Sequence, residues 1–153
     1  MSNQIQIRGM KLEDITEVYD LGSKVPEFEV VKGETGFWKE DVLTDWVASE
    51  NDVAVVAYNE KELAGFLLAS YHPLTRKATI DNAYLKPPYR GLYEGRHLVI
   101  EMYKEAESRL KEKGADFICG FIEEENKASK RFLEKCEFDT GKLHYWMNKT
   151  LKK

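Results

Sequence analysis

"YLKPPYRGLYEGRHLVIEM", residues 84–102, decides how the chain is read. A short apolar run meets Pro87 and Pro88, and proline cannot extend a central strand because it gives no backbone donor. Arg90, Gly91 and Gly95 follow, and then a long pattern at helical spacing. Val99, Met102, Tyr103, Ala106 and Leu110 form one stripe; Glu101, Lys104, Glu105, Ser108 and Lys111 cover the other side. The spacing predicts a helix over about 91–113, stopped at Gly114. Strand, glycine-bearing turn and helix start together make an anion-binding device. The first amides of a helix lack intrahelical partners and stand at the positive end of its dipole. Tyr93 and Glu94 bring bulk and negative charge between the two glycines. Neither G-x-x-x-x-G-K-[ST] nor G-x-G-x-x-G is present, so this is not a nucleotide loop of either common kind.

Upstream of this stretch, residues 4–9 alternate apolar and polar, as a half-buried strand does. Leu12, Ile15 and Val18 or Tyr19 predict a helix that Gly22 ends. Residues 23–37 are irregular, but Val25, Phe28, Val30 and Val31 give the segment reason to pack down. A second helix is expected over about 38–48, with Leu43, Trp46 and Val47 facing inward. "DVAVVAYNEKELAGFLLASYH" reads as a hairpin around "NEKE", and "ATIDNAYL" as the next strand. Downstream, "ADFICGFI" is an apolar strand of the kind buried in a sheet centre. Asn126 caps a helix reaching about Lys135, and "EFDTGKLHYWMNKTL" reads as a closing hairpin around "DTGK". The order is β-α-α-β-β-β-α-β-α-β-β. It predicts an α/β fold in one domain over 1–153. Its central mixed, mostly antiparallel sheet has six to seven strands and about four flanking helices.

Composition narrows the function. The 27 acidic residues outnumber the 23 basic ones, for a net charge of −4. Such a surface repels a phosphate backbone and attracts a cationic amine, so no nucleic-acid partner is expected. No apolar run approaches the roughly 20 residues that span a bilayer, and the first residues lack a signal-peptide pattern. The expectation is a cytoplasmic protein with no membrane partner. Cys119 and Cys136 read as reduced, buried small apolar residues. His72, His97 and His144 are scattered, so no metal centre is expected.

With these elements in order, the chain resembles the GNAT superfamily of acetyl-coenzyme A-dependent N-acetyltransferases. "LKPPYRGLYEG" supplies Leu85, Pro87, Tyr89, Arg90, Gly91 and Gly95 in the register of the family's motif. "NKASKRFLEKCEF" supplies Asn126, Ser129, Phe132 and Phe138 at fitting offsets after one more strand. The resemblance implies that acetyl-coenzyme A is the acyl donor. The backbone of Ala83, Tyr84 and Leu85 would pair with its pantetheine arm, admitted by a splay between this strand and the next. The amides of Gly91, Leu92, Tyr93, Glu94, Gly95 and Arg96 would hold its pyrophosphate, with the charges of Arg90 and Arg96 on either side. Asn126 and Ser129 would bond the arm further along. It also implies a small-molecule or peptide amine as acceptor, lined by residues 23–38 and the closing hairpin. A homodimer through that hairpin fits such folds.

The chain departs from the family at its reactive positions. Thr79, Phe121 and Leu133 stand where members often carry a base or an acid, and Glu137 replaces a glycine. Asp81, on the strand face of Thr79, is the substitute base. Tyr145, in the closing hairpin, is the substitute acid. The alternative is a non-catalytic acyl-coenzyme A-binding or sensor protein that kept the fold and lost the chemistry.

Overall fold

The computed structural model describes residues 4–31 and 34–151. Two long strands carry its core, and their sequences say why. β4 (Val53–Asn59) and β5 (Glu62–His72) are apolar on nearly every residue. A strand buried on both faces reads as a continuous apolar run rather than an alternating one. They occupy the middle of a five-stranded sheet of order β1-β4-β5-β6-β7, with β1 at Ile5–Gly9, β6 at Lys77–Leu85 and β7 at Phe117–Gly120. All neighbours are antiparallel except β6 and β7, which run parallel.

The sheet separates two layers of helix. On one face α1 (Ile15–Gly22) and α2 (Glu40–Ala48) bury Val18, Leu43 and Trp46 against Val56, Phe66 and Leu68. On the other, α3 (Leu98–Lys113) packs on β4 and β5 through Leu98, Met102, Ala106 and Leu110. A separate ribbon, β2 (Glu29–Val31) with β3 (Glu34–Thr35), lies within the irregular 23–38 segment. α4 (Lys127–Lys135) follows β7 in sequence. The backbone contacts divide into two compact units, residues 1–121 and 122–153. The whole sheet and α1 to α3 belong to the first, and α4 to the second.

Three expectations are corrected. The sheet has five strands rather than six to seven, because residues 138–151 form no helix or strand. An alternating pattern says which faces a strand would have, but a strand exists only where another backbone completes its ladder. α3 begins at Leu98, not near Gly91. Gly91, Glu94 and Gly95 hold φ of 70°, 46° and 78°, which breaks any right-handed helix before it. Cys119 and Cys136 are half-buried rather than buried.

One buried charge ties β1 to the entry of α1. Asp14, only 3% exposed, accepts two hydrogen bonds from Arg8, at 2.6 and 3.0 Å, and one from the Lys11 amide at 2.7 Å. Burial opposes its ionisation, but the Arg8 and Lys11 bonds win, and its carboxyl is held below the ordinary value of 3.8. Arg8 also stands 5.0 Å over the Tyr58 ring. Burial, with Asp14 nearby, pushes the Tyr58 phenol up. Removing one partner of a buried pair strands the other, so Asp14→Asn should cost on the order of 2–3 kcal/mol at pH 7. Because the folded-state pKa is depressed, this stability exists above the unfolded value and vanishes as pH falls through the folded one. Urea unfolding of both proteins should show the gap closing below about pH 4; a gap independent of pH would contradict the assignment.

Candidate active site

β6 supplies the site, and its ladder with β5 holds one irregularity. Leu68 stands opposite Asn82 and Ala69 opposite Ile80, so Asp81 is an extra residue without a counterpart. Such a β-bulge bends the strand and re-aims its side chains. Thr79, Asn82 and Tyr84 lie opposite Ser70, Leu68 and Phe66. Directly opposed residues share a face, so all three look toward the layer of α1 and α2, where Phe66 and Leu68 are buried. Asp81 joins them, since Ser70 is its hydrogen-bonding neighbour.

Burial pushes the Asp81 carboxyl up from its ordinary value; the Ser70 bonds oppose this, and the charge of Asp52 adds to it. Its Oδ2 is buried and has no hydrogen-bond partner, alone in this among the described residues. Beside it, Asn82 Oδ1 accepts a 2.8 Å hydrogen bond from Trp38 Nε1. The Trp38 ring lies 5.4 Å from that of Trp46. The Trp46 indole in turn donates to the carbonyls of Val53 and Ala69.

The other edge of β6 opens where the bulge begins. The parallel ladder with β7 stops at Ile80 opposite Gly120, so residues 81–85 have no strand on that side among the described residues. Main-chain groups in an antiparallel strand point alternately to either side. The Lys86 amide donates to Ala64, which directs the backbone of Tyr84 toward β5 as well. The N–H and C=O of Ala83 and Leu85 therefore face the open edge. Arg90 Nε already donates to the Leu85 carbonyl at 2.7 Å, and its guanidinium stands 5.2 Å over the Tyr84 ring.

The glycine-bearing turn is self-contained. Tyr93 and Arg96 donate to each other's carbonyls, both at 2.8 Å. Positive φ at Glu94 and Gly95 between them makes a type I′ turn, a geometry that favours Asn-Gly or Gly-Gly. Two of the six amides expected to face an anion are thus engaged within the turn. The Tyr93 ring leaves it and lies 5.0 Å from that of Tyr89. Asn59 Nδ2 donates toward both phenol oxygens, at 3.3 and 3.4 Å, and the Tyr89 hydroxyl donates to Glu62 at 2.8 Å. That bond, followed by Lys86, holds the Glu62 carboxyl below its usual range. Arg96 is bidentate to Glu101, with a closest approach of 2.7 Å, and also donates to the Ile5 carbonyl. The free amides of a helix start are those of its first turn, which here means Leu98 to Ile100 rather than the turn before it.

Phe121, the last residue of the first unit, is 76% exposed. The second unit carries the remaining expected residues. Asn126 is the N-cap of α4, its Oδ1 accepting from the Ser129 amide at 3.1 Å. Leu133 is half-buried. Tyr145 is 93% exposed, in the segment without regular structure. Sequence reasoning missed Trp38, Ser70 and Asn82, because bonds across 44 residues leave no local pattern. The bulge did leave a trace: apolar Ala78 and Ile80 are followed by Ala83 and Leu85, a slip of one in the period of two.

Residues 18–138 match the model of the Acetyltransferase (GNAT) family. No curated protein matches the chain by sequence. Among solved structures, an aminoglycoside acetyltransferase from an uncultured soil metagenomic sample, in complex with trehalose, superposes with a TM-score of 0.73. It is 13% identical, with 99% of each chain covered. The ribosomal-protein-S18-alanine N-acetyltransferase of Escherichia coli gives 0.68 at 16% identity, covering 90% of this chain and 79% of its own. The acetyltransferase AAC(6')-Iy, in complex with a bisubstrate analogue of coenzyme A and acetylneamine, gives 0.72 at 15% identity, covering 95% and 98%.

The turn geometry is testable. Glu94 holds a left-handed conformation that costs an ordinary residue about 1 kcal/mol and costs asparagine less. In urea unfolding, Glu94→Asn should gain roughly 0.5 kcal/mol and Glu94→Val should lose about 1 kcal/mol. Equal stability of the two variants would mean that the turn is not type I′.

Proposed function

The chain belongs to the GNAT acetyltransferase family, and from that premise we propose that it moves an acetyl group from acetyl-coenzyme A to a primary amine by direct attack in a ternary complex. One observation carries this reading: a buried carboxylate oxygen without a partner sits on the bulge where β6 also has an open edge. The open edge suits the amides of a pantetheine arm, with Ala83 and Leu85 as the residues that reach it. In the proposed site, Arg90 exchanges the Leu85 carbonyl for the donor. The pyrophosphate lies against the 91–96 turn and the first turn of α3, where unpaired amides and the helix dipole favour an anion.

The chemistry follows from Asp81. An alkylammonium has a pKa of about 10.4, so roughly one molecule in a thousand is neutral at pH 7, a cost of about 4–5 kcal/mol. Asp81 Oδ2 takes one proton from the ammonium, and the freed lone pair attacks the thioester carbonyl. The carbon–sulfur bond then breaks, its electron pair leaving on sulfur. The nitrogen sheds its second proton to solvent, and the thiolate gains one from it. A raised carboxyl pKa makes Asp81 a stronger base than an ordinary aspartate. A positioned base contributes about 10²–10⁴-fold.

A second reading, an acyl-coenzyme A sensor without transfer, draws on the turn. Both arginines and two of its amides are already occupied, and Thr79, Phe121 and Leu133 replace the usual proton-transfer groups. Thermal denaturation with and without acetyl-coenzyme A, followed by thiol release in the presence of amines, separates the two. Stabilisation with transfer supports the enzyme, stabilisation alone the sensor, and neither effect refutes both. In the enzyme, Asp81→Asn should lower kcat by about 10²–10⁴-fold while leaving the thermal shift intact. The base acts when ionised, so the wild-type rate should climb through a pKa above the usual carboxylate range. That limb should be missing from the variant, and its persistence would remove Asp81 as base.

A further inference from the structure

We propose that the acceptor is a primary amine with a single positive charge, carried on an apolar or aromatic body, rather than a polycation. This rests on the reading of the protein as an N-acetyltransferase and narrows it. The argument is the composition of one face of β6. Thr79, Asp81, Asn82 and Tyr84 share that face with the exposed Lys77 at the start of the strand, and Asp81 is its one acidic group. The carboxylate has one buried oxygen without a hydrogen-bond partner, a demand that one ammonium would meet. Asp52 adds negative potential, but its Oδ1 already accepts from the Tyr71 amide.

The residues next to Asp81 on this face, and the rings packed on them, are neutral. The polar acceptor of its neighbour Asn82 is filled by Trp38, which turns that indole toward the bulge. Tyr84 meets Phe28 edge-on at 6.5 Å. Phe28, Trp38 and Tyr84 are all half-buried, so each keeps exposed ring surface. A carboxylate on a face that also carries aromatic rings suits one cation with an apolar body. The remaining acidic residues of this segment whose side chains are described, Glu27 and Glu29, are exposed, where water screens them. A polyamine or aminoglycoside brought to this face would have to desolvate further ammonium groups that find no carboxylate there.

The test compares 2-phenylethylamine, ethylamine, spermidine and kanamycin as acceptors under saturating acetyl-coenzyme A. The expected result is a kcat/KM for 2-phenylethylamine at least tenfold above each of the other three. A preference for spermidine or kanamycin overturns this proposal and leaves the acetyltransferase reading standing. Absence of transfer to all four, with no thermal shift by acetyl-coenzyme A, sinks both. Trp38→Leu adds a second readout: kcat/KM should fall about tenfold further for 2-phenylethylamine than for ethylamine. Equal effects on both amines would mean that Trp38 only supports the fold, and the aromatic part of the proposal would fall. Quenching of tryptophan fluorescence by 2-phenylethylamine alone, and not by kanamycin, reports the same preference without turnover.

Discussion

One extra residue in β6 governs the arrangement of the site. Side chains on a strand alternate with a period of two, so inserting one residue reverses the face of everything beyond it. Without the insertion at Asp81, Asn82 and Tyr84 would turn toward α3, and Trp38 would lose its acceptor. With it, a carboxylate, a carboxamide and a phenol ring line up on the face that the 23–38 segment covers. The same point of β6 is where β7 stops pairing. An open edge and a re-aimed acid arise together, and acyl transfer needs both: a channel for the donor and a base beside its end.

The turn that follows β6 is held by a small net gain. Positive φ at Glu94 costs about 1 kcal/mol. The Tyr89–Tyr93 ring pair returns about 0.5–1.5 kcal/mol, and each of the two main-chain bonds about 1 kcal/mol net. These are modest sums beside a doubly charged diphosphate meeting several amides. Such a ligand could rearrange the turn, whereas the Arg8–Asp14 corner and the doubly buried strands β4 and β5 would stay in place. The part expected to move and the part expected to hold still are thus separated by their interactions. The I′ turn also answers the question raised by a tyrosine between two glycines. The ring is accommodated because it leaves the turn and lies against Tyr89 and Asn59.

Much of the fold was legible in the residues. The apolar runs of β4 and β5, the stripe on α3 and the prolines after Leu85 are local signals, and each became the element it announced. Asn126 as a cap is a local signal too, since the bond it makes spans three residues. What misled was a pattern without its partner. "KLHYWMNKTL" has the composition of a strand, yet no ladder forms on it. "GLYEGRH" sits before a helix and reads as its start, although two consecutive positive φ values exclude helix there.

By itself the sequence determined the order of the main sheet strands and helices from β1 to α4, the apolar faces that form the core, and a family motif around Arg90, Gly91 and Gly95. These follow from short-range rules of period, capping and turn chemistry. Only the tertiary structure decided that Asp81 is the bulged residue with a stranded oxygen, that Trp38 reaches Asn82, and that Ala83 and Leu85 rather than Tyr84 present their backbone to the open edge. Those facts depend on which residue of β5 stands opposite which residue of β6. Register is a relation between two strands, and it is set when their buried faces pack together.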